Sequence, residues 1–141
     1  MVVLDASVIL KWLLADPVRE SDTRKAFDLI ETVVSGGLEI LQPVHWLAEV
    51  AAVAARLVPE TAVDDVEMLA AFEFPTTDSP TVMRRATSLA IDSTHHLFDT
   101  LYHAVALEHE DALLITADER YYEKAKGYGT IRTLQAWEPG S

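Results

Sequence analysis

The sequence predicts an α/β fold: a parallel sheet of about five short strands with helices on both faces, in one domain spanning residues 1–141. Three observations lead there. Short apolar runs alternate with longer segments of helical periodicity, as in parallel strands joined by crossover helices and covered on both sides. Half of the 141 residues are hydrophobic, enough to form a core of ordinary domain size. No internal repeat, low-complexity segment or linker divides the chain.

The elements follow in order. Val2 to Leu4 are a short buried strand, and Ser7 to Leu14 continue apolar until Asp16-Pro17 stops them. Ala26, Phe27, Ile30, Val33 and Val34 recur at helical spacing within Val18 to Val34, and Ser35-Gly36-Gly37 end that helix. Leu38 to Leu41 are a second strand. Pro43 suits the first turn of a helix that runs to about Val58 and stops at Pro59. Thr61 to Phe72 are a further helix, with Asp64 and Asp65 in its first turn. Glu73 to Thr77 form a short strand, and Ser79-Pro80 start a helix to about Asp92. Leu97 to Glu110 are helical, Ala112 to Thr116 a strand, and Asp118 to Lys126 a helix closed by Gly127. Thr130 to Thr133 are the last strand, followed by a loose Glu138-Pro139-Gly140-Ser141 tail.

Composition removes several functional classes. Without cysteine there is neither a disulfide framework nor a thiolate metal site, and without H-E-x-x-H a zinc site is rejected. The N-terminus lacks the positive region of a signal peptide, and no apolar stretch reaches the roughly 18 residues that span a bilayer. A soluble, cytoplasmic protein with no membrane association is expected. Dinucleotide (G-x-G-x-x-G), P-loop (G-x-x-x-x-G-K-[ST]) and nucleophile-elbow (G-x-S-x-G) motifs are absent, and the chain has five glycines in all. The net charge of −12 argues against non-specific nucleic-acid binding. It leaves two readings: acids that solvate the surface, or acids gathered where a cation is needed.

Four acids favour the second reading. Asp5 follows the first strand directly, where an open α/β sheet binds ligands, although an N-cap would also place it there. Glu49 is the only acid between Glu39 and Glu60, inside a helix of mostly Ala, Val and Leu. Arg56 lies two turns away, so this carboxylate needs a partner from elsewhere. Asp99 lies off the face shared by Leu97, Leu101, Ala104 and Val105, in line with Tyr102 and Ala106, with no base four residues on. Asp118 follows a buried strand; Thr116 and Glu119 match a capping box in which Asp118 would be an ordinary first-turn acid. As a set, two acids end strands and two lie on apolar helices over the same edge. Four like charges cannot gather without a cation, and oxygen ligands suit Mg²⁺. One or two such ions would activate a water against a phosphodiester, which reconciles an acidic chain with a nucleic-acid substrate.

These residues resemble a PIN domain of the VapC toxin type over nearly the full length. The opening VVLDAS-V with Asp5, the helix P-x-x-x-x-x-E with Glu49, F-D-x-x-Y with Asp99 and Tyr102, and strand-plus-T-A-D with Asp118 occur in that family's order and approximate spacing. The resemblance implies Mg²⁺ or Mn²⁺ bound by Asp5, Glu49, Asp99 and Asp118, with Ser7 and Thr116 as supporting polar groups and RNA cleavage as the activity. It also implies a five-stranded parallel sheet, a homodimer, and inhibition by a small cognate antitoxin protein. The chain departs from members with a basic rim: its positive charges are sparse, among them Lys11, Arg19, Arg24-Lys25, Arg84-Arg85, Arg120, Lys124 and Lys126. Arg120 and Lys124, one turn apart on the helix that Asp118 opens, are the candidates for phosphate contact.

Other features have simpler readings. His95-His96 suit a polar loop, and His103 a supporting or exposed position one turn after Asp99. Trp12 and Trp46 suit core or dimer anchors, Trp137 a folded-back tail or an interface, and the small residues of Ala51 to Ala55 close helix packing. Two rivals to the nuclease stand. A metal-dependent phosphatase or phosphoacceptor would show D-x-D after the first strand or a lysine after a late one; the chain has D-A-S and Thr116-Ala117-Asp118. An inactive PIN-fold binding module would not need all four acids.

Overall fold

A computed structural model describes residues 1–14 and 22–140. The Asp16-Pro17 stop, the expected helix start at Val18, Arg19 and Ser141 lie outside the described residues. The alternation of strands and helices is as predicted. Strands are β1 (Val2–Leu4), β2 (Gln42–Pro43), β3 (Thr76–Thr77), β4 (Leu113–Thr116) and β5 (Ile131–Thr133). Helices are α1 (Ala6–Leu13), α2 (Thr23–Val34), α3 (Trp46–Leu57), α4 (Ala62–Ala71), α5 (Pro80–Ser93), α6 (Leu97–Leu107) and α7 (Glu119–Ala125).

All strand pairs are parallel, but the five strands form two sheets: β1-β4-β5 and β2-β3. The predicted single sheet is therefore split, and the seam has a chemical cause. Backbone bonds join Val2 to Glu39 and Leu41 (2.8 and 3.0 Å), and Ile40 bridges Val2. One step later a side chain replaces the ladder. The Gln42 amide accepts from the Leu4 N–H (2.8 Å) and donates to the Leu4 carbonyl (2.9 Å). Gln42 is fully buried, so those two bonds satisfy backbone groups that water cannot reach. The second strand thus forms beyond Leu38 to Leu41. Pro43 lies in β2 rather than in the first turn of a helix; having no N–H to give, it closes the strand, and α3 starts at Trp46.

Caps follow side-chain chemistry. Ser79 accepts from the Val82 N–H, with Pro80 opening α5. The Thr116–Glu119 capping box does not form: Asp118 itself caps α7 by accepting from the Tyr121 N–H (3.0 Å), while Thr116 Oγ1 accepts from the Asp118 N–H (3.0 Å). Only Ala117 and Asp118 separate β4 from α7, so the bond to Thr116 closes a tight turn that leaves Asp118 as the cap.

The core lies between the sheet and α1, α2 and α6, with Val3, Leu4, Leu29, Val105, Leu114 and Ile115 fully buried. Trp46 and Trp137 belong to it, and Trp12 packs against Phe27 and Phe72. His103 corrects its expectation: it is fully buried. Its Nδ1 faces the Tyr121 hydroxyl (2.9 Å) and its Nε2 the Gly129 carbonyl (2.8 Å). The carbonyl can only accept, so Nε2 carries the proton and Nδ1 accepts from the phenol. Burial holds the ring's pKa below its ordinary value, so the neutral form is the structural one. This imidazole ties α6 to α7 and to the turn before β5. His103→Ala should lower stability by about 2–4 kcal/mol, read from the urea midpoint, because a cavity and two unmade buried bonds add. A loss below about 1 kcal/mol would contradict the assignment.

Candidate metal centre

The parallel strands aim their carboxyl ends at one edge. Asp5 leaves β1 there and Asp118 leaves the neighbouring β4 two residues on, with Leu4 and Ile115 in register behind them. Glu49 and Asp99 occupy the first turns of α3 and α6. The four are linked electrostatically through Asp99 and Asp5. The charges of Asp99 and Glu49 both act on Asp5, and those of Glu49 and Asp118 act on Asp99.

Asp5 is the most constrained. It caps α1, accepting from the Ser7 N–H (3.1 Å) and from the Ser7 hydroxyl through the same Oδ2. Thr116 Oγ1 stands 3.4 Å from that oxygen, and Ser7 Oγ accepts from the Ala117 N–H (2.9 Å). Ser7 and Thr116 thus link the ends of β1 and β4. Asp5 is only 6% exposed. Burial pushes its pKa up to about 7; the Ser7 hydroxyl opposes the rise, and the nearby charges of Asp99 and Glu49 add to it. Burial also raises Asp99, with Glu49 the larger of the two carboxylates acting on it, while His95 opposes the rise.

Glu49 and Asp99, the two acids on helices, each have a histidine partner. Glu49 has His45 Nε2 at 3.5 Å, four residues earlier on its own helix, and accepts from the Tyr102 hydroxyl at 3.4 Å. His45 Nε2 also faces the Phe98 carbonyl at 2.9 Å, so this nitrogen carries the proton; Nδ1 is buried with no partner among the described residues. Asp99 has His95 Nε2 at 2.9 Å, again four residues earlier. In both cases the partner precedes its acid, in H-x-x-x-E and H-x-x-x-D. His95 is therefore not a bystander in a polar loop. Its Nδ1 faces Lys124 Nζ at 3.4 Å, and Lys124 also donates to the Thr94 carbonyl at 3.2 Å. Lys124 is thereby engaged at the C-terminus of α5, while Arg120 on α7 is exposed.

Among the described residues, one group offers ligand atoms at metal spacing. A His95 nitrogen and carboxylate oxygens of Asp99 and Asp118 all lie within 4.8 Å of one another. The donor chemistry fits a divalent cation: hard oxygens, one imidazole, and a buried carboxyl beside them whose proton a cation would displace. A family model described as PIN domain matches residues 2–127. The chain belongs to the PIN-domain family. This PIN domain has the fold generally used for metal-dependent nucleases, and its acidic cluster sits at the sheet edge where a cation would be held. A search of curated proteins returns no significant match. No helix among the described residues of this PIN domain is long and apolar enough to cross a membrane.

Proposed function

We propose that the chain is a Mg²⁺- or Mn²⁺-dependent endoribonuclease and the toxin of a VapC-type toxin–antitoxin pair, acting in the cytoplasm as a single-domain protein. The observation that supports this best is that Asp5, Glu49, Asp99 and Asp118 come from four elements at one sheet edge and lie near enough for their charges to act on Asp5 and Asp99. Asp5, Glu49, Asp99 and Asp118 would hold the metal directly or through water. When bound, the cation would supply an activated water and neutralise charge on the phosphodiester.

The chain's own residues prepare that site. Ser7 fixes the Asp5 carboxylate, and Thr116 fixes the turn that presents Asp118. One oxygen of Asp118 is used by the Tyr121 N–H, which leaves the other for a cation. His45 and Tyr102 hold Glu49, and His95 holds Asp99. Arg120 is the candidate for RNA phosphate, while Lys124 acts through His95 rather than on substrate. On exposed faces of α3, Ala52 and Ala55 would let a second copy approach closely, which suits a homodimer. A small antitoxin would then be the cytoplasmic partner that restrains the enzyme.

Calorimetric titration of Mn²⁺ and Mg²⁺, followed by cleavage of labelled RNA with and without EDTA, tests the activity. Cleavage that needs the cation, and that falls on the order of 10²-fold or more in Asp99→Asn, is the expected result. Absence of cation binding by the wild type would sink the enzyme reading. Arrest of growth on induction, relieved by a small protein encoded beside it, tests the toxin role; unimpaired growth with soluble protein would refute that role.

A further inference from the structure

The acids cover only part of the sheet edge. Over the carboxyl ends of β2 and β3, the same edge opens into a cavity of about 380 Å³. Its walls are mainly apolar, including Val44, Met83, Phe98 and Leu101, and Asp78 and Ser79 lie at its polar side. Large apolar side chains are rarely left in water side by side without a use. Here Val44 is 56% exposed, Phe98 49% and Met83 48%. Phe98 also stacks on His45 (centroids 5.3 Å apart, planes at 29°) and packs on His96 (5.1 Å).

The platform is tied to the metal centre. Phe98 immediately precedes Asp99, and His45 reaches both the Phe98 carbonyl and the Glu49 carboxylate. A polymer whose phosphodiester lies at the acids therefore brings its next unit over Phe98. We propose that this cavity is a base-binding subsite that takes one unpaired nucleobase of the RNA, stacked on Phe98, beside the phosphate to be cut. This rests on the ribonuclease reading above. An exposed phenyl ring backed by a stacked imidazole receives a flat π-face, with little dependence on base identity. Among the described residues the cavity's lining holds Asp78 but no lysine or arginine, so stacking supplies affinity that basic residues do not. A base still paired in a duplex could not enter, so the subsite selects single-stranded segments.

A pool of random RNA decamers with one central 2-aminopurine, mixed with wild-type protein in Ca²⁺, tests the inference. Stacking on Phe98 quenches the probe. Phe98→Trp should keep the quenching, and Phe98→Ala should abolish it while weakening decamer binding about 10-fold or more. In Mg²⁺ or Mn²⁺, Phe98→Ala should raise KM for cleavage and leave kcat within about 2-fold. Val44→Glu, a change at an exposed wall, gives a second variant that should mimic Phe98→Ala without threatening the fold. Circular dichroism checks both. Unquenched probe with bound wild type, or unchanged KM in both variants, overturns the subsite and leaves the cavity to a polypeptide segment. If the probe is quenched but no RNA is cut with any cation, the subsite stands and the nuclease reading fails.

Discussion

Without divalent cation at pH 8, Asp5→Asn should be more stable than the wild type by about 2–4 kcal/mol, and it should lose cation-dependent cleavage. In the folded chain burial raises the Asp5 pKa from 3.8 to about 7. In the unfolded chain it ionises near its ordinary value. Between those two values the folded state holds a proton that the unfolded state has released. Stability from this group is therefore full below about pH 4 and is lost as the pH rises through 7. At about 1.4 kcal/mol per pKa unit, the wild type loses about 2–3 kcal/mol between pH 5 and 8 through Asp5 alone. Asparagine cannot ionise, and it still caps α1 and accepts from Ser7. Urea midpoints at both pH values, wild type against variant, give the comparison. Equal pH slopes would show that Asp5 is not held under strain by burial. Added Mn²⁺ should stabilise the wild type and leave Asp5→Asn nearly unmoved. Stability given up at one carboxylate is the expected trade at a functional site.

Gln42→Leu should cost about 2–5 kcal/mol, the largest stability loss expected from a single polar residue here. Leucine has similar bulk, so little of the loss is cavity. The cost comes from the Leu4 N–H and carbonyl, which the Gln42 amide now satisfies in a site without water. Gln42→Glu is no rescue: a carboxylate accepts from the N–H, but it has no donor for the carbonyl and brings a buried charge. Chemical denaturation gives the magnitude, and hydrogen exchange at Leu4 gives the location. A cost below about 1 kcal/mol, or unchanged exchange at Leu4, would mean that β1 and β2 are held by packing alone.

Much of the architecture was legible because it depends on periodicity. The alternation of apolar strands with amphipathic helices fixes the class, and α4, α5 and the ends of β1 and β4 that precede Asp5 and Asp118 fall within a residue or so of expectation. The split sheet was not legible, because it turns on a side chain acting as backbone, and no periodicity encodes that. Pro43 misled for a related reason: proline suits a helix start and a strand end equally, and only the neighbouring strand decides. The four acids were visible as carboxylates in apolar surroundings. Their mutual field depends on the order in which β1 and β4 pair. His45 and His95 were within reach of helical spacing but were passed over, because histidines beside a helix start read as loop residues. His103 was misplaced because nothing local distinguishes an imidazole that bonds across the core from one that faces water.

The two histidine–acid pairs have one more consequence. His95, two residues before α6, holds Asp99 in the first turn of that same helix, whereas His45, the residue before α3, holds Glu49 and also reaches the Phe98 carbonyl of α6, and Tyr102 of α6 donates to Glu49. Glu49 is thus gripped from both helices, and Asp99 by a neighbour in its own chain segment. If α3 slides against α6, Asp99 travels with His95, while Glu49 is re-aimed. The carboxylate that bridges the two helices is the one whose position reports their spacing.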